Sequence, residues 1–428
     1  MPRPGLNYSA SWQGSLTKRA SIRLQPTGCG CEQAGVTKTD LATWTNVGDK
    51  WSLATALKEL AAGEGPYGID TERASGFRYS NRAFLVQVFR RGSGTYIFDP
   101  TKLDSLEPLA ELINPEEWIL HSADQDLPSL AELGLKPAQL FDTELASRLL
   151  GFERVGLGAV TERLLDIKLA KAHSAVDWST RPLPIEWLEY AALDVIVLPD
   201  LRDAVHRELE ASNKLEIAHQ EFEAVRTKAP KPANDEPWRK LAGGGKLRGP
   251  RQLAVARELW NSRDRLAREK DVAPGRLVPD ASLVAAVAAN PRSKGELAKL
   301  ESFRGRASRT ELNRWWDAIL AGKTTRNVPG PKPRDPEAIP HHRSWEQKSP
   351  EAAARLAAAR AGVEAEAEAQ SMPFENLITP SLVRRVAWNP PVPATPENIA
   401  ARLAELGARP WQIASVAPII SAAFVDLG

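Results

Sequence analysis

Three apolar runs crowd into residues 66 to 100: PYGIDTE, AFLVQVFRR and GTYIFDP, parted only by turn residues such as SG and RGSG. Runs this short and this closely spaced read as strands that pair antiparallel. The pattern then alternates: helix DSLEPLAELI, strand EWILHSA, helix DLPSLAELGL, a short apolar run AQLFD and helix TELASRLLG. Strands separated by helices require parallel crossovers. The first domain is thereby confined to an α/β architecture, a mixed sheet with helices on its faces.

A chain of 428 residues exceeds the size at which one core keeps growing, so two or three domains are expected. Residues 1–47 show no sustained period and read as a loose extension. The first domain spans 48–225, beginning with helix WSLATALKELAAG, which Gly63 stops. It ends in helical sequence from GLGAVTERLL onward. A basic, Pro- and Gly-punctuated linker covers 226–249, a helical domain 250–322, a Pro-rich linker 323–342, and a third helical region 343–428. VAPGRLVPDASLVAAVAANP (272–291) and SMPFENLITPSLVRRVAWNP (371–390) share two prolines, a Leu-Val pair and a closing Asn-Pro. That points to duplication of a small helical domain, at a spacing too long for a solenoid.

A net charge of +2 argues neither for nor against a nucleic-acid partner. The two cysteines, Cys29 and Cys31, read as thiols in a mobile tail and exclude a secreted disulfide framework. No stretch approaches the roughly 20 apolar residues of a membrane span or the apolar core of a signal peptide, so a cytoplasmic protein is expected.

The chemistry lies in the acids. Asp70 and Glu72 are two apart on one strand, hence on one face, where like charges need either solvent or a positive partner. In HSADQDL, Asp124 and Asp126 open a helix and serve either as caps or as ligands. Tyr190 and Asp194 in YAALD are one helical turn apart, on a solvated stripe or in a site. Asp142 in FDTE reads as a plain helix cap. Together the acids favour hard divalent cations, which select carboxylate oxygens and can clamp a phosphodiester. The sequence has no Walker-type phosphate loop and no His/Cys zinc pattern, and its six scattered histidines support no nucleophilic triad.

The order DTE, HSADQDL, DTELASRLLG and DWSTRPLPIEWLEYAALDV resembles the ribonuclease D family, DEDD exonucleases of the tyrosine subtype. The resemblance implies an RNase H-like exonuclease domain followed by two small all-α domains of the HRDC kind. The segment LRGPRQLAVARELWNSRDRLAREKDVAP, with Trp260, Arg263, Asp264 and LVPDASL, resembles an HRDC domain, and the third region a divergent second copy. By the same resemblance Asp70, Glu72, Asp126 and Asp194 would hold two divalent ions, Mg2+ or Mn2+, and Tyr190 would orient the attacking water. His121 is expected to be structural. Trp178 and Arg181 are expected to anchor a loop, with Lys171 and Arg181 as further candidates for phosphate contact.

One departure stands out. Family members often place an aromatic residue after DTE, whereas this chain has Arg73, Arg78 and Arg82 in DTERASGFRYSNRAF. These arginines would grip substrate phosphates or pair with the acids when no metal is bound. Arg248, Arg251, Arg257, Arg263, Arg265 and Arg268 also bias the start of region two, as an RNA contact or as a solvated mixed-charge face. The implied activity is 3′-to-5′ trimming of RNA 3′ ends, tRNA precursors in particular. A DNA exonuclease and a non-catalytic nucleic-acid binder on the same fold are the alternatives.

Overall fold

The computed structural model describes residues 43–169, 175–230, 232, 234–247, 249–330 and 338–425. Residues 1–42 of the extension, with Cys29 and Cys31, together with Lys171 and Arg248, lie outside the described residues. The strands are β1 (Trp44–Val47), β2 (Glu64–Arg73), β3 (Ala83–Arg91), β4 (Gly94–Phe98), β5 (Glu117–Leu120) and β6 (Gln139–Asp142). They form one sheet in the order β1-β4-β3-β2-β5-β6. The pairs β2–β3 and β3–β4 are antiparallel and the outer pairs parallel, the mixed sheet expected from the short turns followed by helical crossovers.

Helices α1 (Lys50–Ala62), α2 (Glu107–Ile113), α3 (Ala123–Ala131), α4 (Thr143–Leu149), α5 (Leu157–Leu165), α6 (Ile185–Ile196), α7 (Leu198–Ala211) and α8 (Leu215–Arg226) complete the first domain. Alternation along β2 and β3 sorts the two faces. Tyr67, Ile69, Val86 and Val88 belong to the core that includes Leu60 of α1 and Leu109 of α2. The opposite face carries Leu85, which packs with Leu188, Ala191 and Ala192 of α6, and Phe89, which packs with Val195 at the end of that helix. Asp70 pairs across from Gln87 and Glu72 from Leu85, so both acids share the face that α6 covers.

The domain begins earlier than the sequence suggests. Trp44–Val47, assigned to the loose extension, pairs in parallel with β4; four residues of which only Val47 is buried offer no period to read. Gly63 does end α1, but with φ −76°. What requires glycine there is the carbonyl of Arg91, 2.8 Å from where a Cβ would stand.

The second region contains α9 (Pro250–Lys270), α10 (Pro274–Leu277), α11 (Asp280–Ala289), α12 (Lys294–Lys299), α13 (Arg306–Thr310) and α14 (Leu312–Thr324). It has its own core, including Leu259, Leu266, Leu283, Phe303, Trp315 and Ile319. The stretch read as a linker is partly built into it: Leu241 and Leu247 join that core and Trp238 is buried. Pro and Gly punctuation hid three apolar anchors too far apart to show a period.

The third region contains α15 (Trp345–Lys348), α16 (Pro350–Ala369), α17 (Phe374–Leu377), α18 (Pro380–Trp388), α19 (Pro396–Glu405) and α20 (Pro410–Val425). The two similar segments adopt the same form, a four-residue helix, a two-residue link and a longer helix. Among the described residues, no helix is long and apolar enough to cross a membrane.

Candidate active site

Gly68 lies on the same face of β2 as Asp70 and Glu72. A Cβ on it would stand 2.8 Å from the carbonyl of Val195 and 3.2 Å from Leu198. The bare glycine therefore lets the end of α6 settle against the strand, which delivers Asp194 to the two strand carboxylates. One carboxylate oxygen from each of Asp70, Glu72 and Asp194 lies within 4.8 Å of the others. Tyr190, one turn earlier on α6, hydrogen-bonds Asp194.

The second motif arrives from β5. Ser122 takes a left-handed conformation, φ 69°, which turns the chain sharply from the strand into α3. The turn is held by Asp142, whose carboxylate accepts from the backbone N–H of Ser122 at 3.1 Å and Ala123 at 2.8 Å. The same carboxylate caps α4 through Glu144 N and Leu145 N, so the residue read as a plain cap also fixes the neighbouring turn. Asp126, in the first turn of α3, is buried and lines the cleft with Asp70, Glu72, Tyr190 and Asp194. Asp124 points elsewhere, exposed and paired with Lys228. The cleft holds about 300 Å³, the low end for small-ligand sites.

The electrostatics describe a site short of positive charge. Burial pushes the Asp70 carboxyl up to about 6. Glu72 is raised to about 10 by burial and then by Asp70, Asp194 and Asp126, and Asp126 to about 8 by burial and Asp70. Asp194 is also raised well above its usual range, first by burial and then by Asp70. Each acid makes its neighbours harder to ionise, and burial denies them water. Clustered hard oxygen donors in that condition fit divalent cations. His121 donates nothing to this balance: burial pulls it down to about 4, leaving it neutral with Nδ1 on the Thr143 hydroxyl at 2.8 Å.

The arginines of the first motif divide. Arg73 is in the cleft, with Nη2 3.0 Å from Asp126. Arg78 donates to the Ser179 hydroxyl at 2.6 Å and lies 3.8 Å from Asp271 of the second region. Arg82 stacks over Phe84 and is exposed. Arg181 holds Asp99 with two hydrogen bonds, 2.7 and 3.0 Å, and donates to the carbonyls of Trp178, Thr180 and Phe84. Phe84 is the residue skipped where the β2–β3 register slips between Glu72 and Arg73. Arg181 thus braces the bulge beside the acids and has no free donor face for phosphate.

Two residues beside the site escaped the sequence reading. Gly68 gave only a glycine inside a strand, a known sign of close backbone approach. Gln87, across from Asp70, is fully buried with neither amide atom partnered; its signal was a lone polar residue within AFLVQVF.

Fold and site together define a nuclease of the four-acid 3′-5′ exonuclease class. Residues 45–210 match the family model for a 3′-5′ exonuclease domain, residues 252–319 that for an HRDC domain, and residues 338–424 that for a 3′ to 5′ exonuclease C-terminal domain. The chain is 30% identical to ribonuclease D of Pseudomonas paraeruginosa over 77% of its own length and 85% of that protein's. To ribonuclease D of Bartonella henselae it is 28% identical, over 60% of its own length and 62% of that protein's. A crystal structure of a protein from Bifidobacterium adolescentis superposes with a TM-score of 0.81 at 34% identity, covering 89% of this chain and 96% of that one. The chain belongs to the ribonuclease D family of 3′-5′ exoribonucleases.

Proposed function

We propose that the protein trims the 3′ ends of structured RNAs such as tRNA precursors, releasing 5′-nucleoside monophosphates by hydrolysis with two divalent ions, Mg2+ or Mn2+. The observation that carries the reading is the convergence of Asp70, Glu72, Asp126, Tyr190 and Asp194 from one strand and two helices into one cleft. Asp70, Glu72 and Asp194 would hold one ion, and Asp126 with Asp70 the other. Such ions activate water and neutralise the charge that builds on a phosphodiester under attack. Tyr190 is raised above its usual range by burial and then by Asp194, Glu72 and Asp70, so its phenol keeps its proton and can orient the attacking water through a hydrogen bond. Arg181 and Asp142 keep the two motif turns rigid and touch no substrate.

The test is to incubate 5′-labelled RNA and DNA of matched sequence with Mg2+, Mn2+ or chelator. Stepwise shortening of the RNA with metal alone is expected, and preferential shortening of the DNA would move the reading to a DNA exonuclease. Asp70→Asn should lower the trimming rate by at least about a thousandfold with the circular dichroism spectrum unchanged. Trimming at the wild-type rate would remove Asp70 from the chemistry, and binding of RNA without trimming in any metal would leave a binding protein on this fold.

A further inference from the structure

Arg73 is the charged residue whose position the acids alone do not explain. It ends β2 at the point where the register with β3 slips, and a bulge re-aims the side chain that follows it. Its guanidinium reaches α3, where Nη2 lies 3.0 Å from Asp126 and Nη1 donates to the backbone carbonyl of Gln125. Two anchors on one turn of α3 hold the guanidinium in place with a planar, directional grip. Meanwhile Asp70, Glu72 and Asp194 already lie close enough to share a cation, and Asp126 is not part of that trio. The four acids are therefore unequal: Asp126 has the arginine in direct ion-pair contact, whereas Asp70 and Glu72 feel its charge only at longer range.

We propose that Arg73 is a resident counter-ion that must leave Asp126 before a second divalent ion can be held, so that this site fills in a fixed order, the Asp70/Glu72/Asp194 position first. The proposal rests on the metal-dependent reading above. Arg73 is a positioning and gating residue in this scheme. It is partly exposed beside buried Asp126, so its guanidinium can swing outward to solvent or to a substrate phosphate without unpacking the core. A divalent cation, with its higher charge, would outcompete the guanidinium for the Asp126 carboxylate.

The experiment is Mn2+ titration of the whole protein without RNA, read by calorimetry and by the electron paramagnetic resonance of free Mn2+. Wild-type protein should show one tight and one weaker site. Arg73→Gln should tighten the weaker site about tenfold, a shift of about 1.4 kcal/mol, and the tight one by clearly less, since Arg73 acts on Asp70 and Glu72 only at longer range. Arg73→Lys, which keeps the charge but loses the fork, should fall between and guards against a folding defect in the glutamine variant. Asp126→Asn should abolish the weaker site whether or not Arg73 is present. Indistinguishable isotherms for wild type and Arg73→Gln would overturn the gate and leave the proposed function standing. A weaker site that survives Asp126→Asn would also overturn it, and no Mn2+ uptake at all would bring down the metal reading and the gate together.

Discussion

The two appended regions are attached by different physics. The third region shares the first domain's core: Trp345, Val363, Leu377, Ile399 and Ile420 fall in one continuous apolar cluster with Leu149, Phe152 and Phe222. At that seam Glu221 is buried and accepts from Arg409 and from Trp411 Nε1. Lys214 donates to the carbonyl of Leu149 at 2.6 Å and that of Ser371 at 3.3 Å. The second region keeps its core to itself and grips the loop after the DTE motif through polar contacts. Tyr79 donates to Asp264 at 3.0 Å, Arg276 to the carbonyl of Gly76 at 2.6 Å, and the Arg276 guanidinium lies 3.8 Å over Phe77. An apolar seam makes two regions fold as one unit. Polar latches of partly exposed groups contribute little to stability, so these are expected to set position and leave folding independent.

The contrast can be broken most forcefully at Gly151. Its φ of +74° disfavours any side chain, and a Cβ would collide with the carbonyl of Ser371. Gly151→Ala should cost about 2–4 kcal/mol from strain and overpacking, and urea unfolding should lose both the first domain and the third region in one transition. Two separate transitions would mean that the seam does not couple them.

At the latch, Arg276→Ala should change stability by less than about 0.5 kcal/mol. It should nonetheless speed protease cleavage between the first and second regions and widen the X-ray scattering profile. A stability loss as large as that of Gly151→Ala would erase the distinction.

The smallest effect sharpens the seam itself. Burial lowers the pKa of Lys214, so between that folded value and the ordinary one near 10.4 the unfolded chain binds the extra proton. The stabilising contribution of this shift is then complete above about 10.4 and is lost as pH falls through the folded value. Wild type should gain stability relative to Lys214→Met as pH climbs toward 10.4, measured by urea midpoints, and parallel curves would place the ammonium in solvent.

What was legible in the sequence was what repeats or clusters. β2, β3 and β4 declared themselves by composition and turn spacing, and the acids by their pairing on one strand and one helix turn. What was hidden depended on close approach between distant segments. Gly68 admits α6 to the strand, and no local pattern names its visitor. Arg73 read as either a phosphate grip or a partner for the acids, because its aim is set by a bulge that exists only once β3 pairs. The basic run opening the second region divides for the same reason, with Arg265 and Arg268 exposed. Arg251 and Arg257 donate to carbonyls near the end of their own domain, and Arg263 is buried on Val278 and Asp280. Charge in a sequence says what is available, and packing decides how much remains for a partner.

The latch also includes a bond from the N–H of Ala273 to the carbonyl of Phe77, 2.9 Å. Both partners are main chain, so replacing either side chain leaves the bond in place, except that proline at 273 would delete the donor. An interface of this kind can drift in sequence among relatives and stay shut. It is vulnerable to changes of chain length: one residue added or lost between Ala74 and Arg82 would shift the carbonyl out of reach. Across the family, the number of residues in that loop should track the docked arrangement more faithfully than their identity.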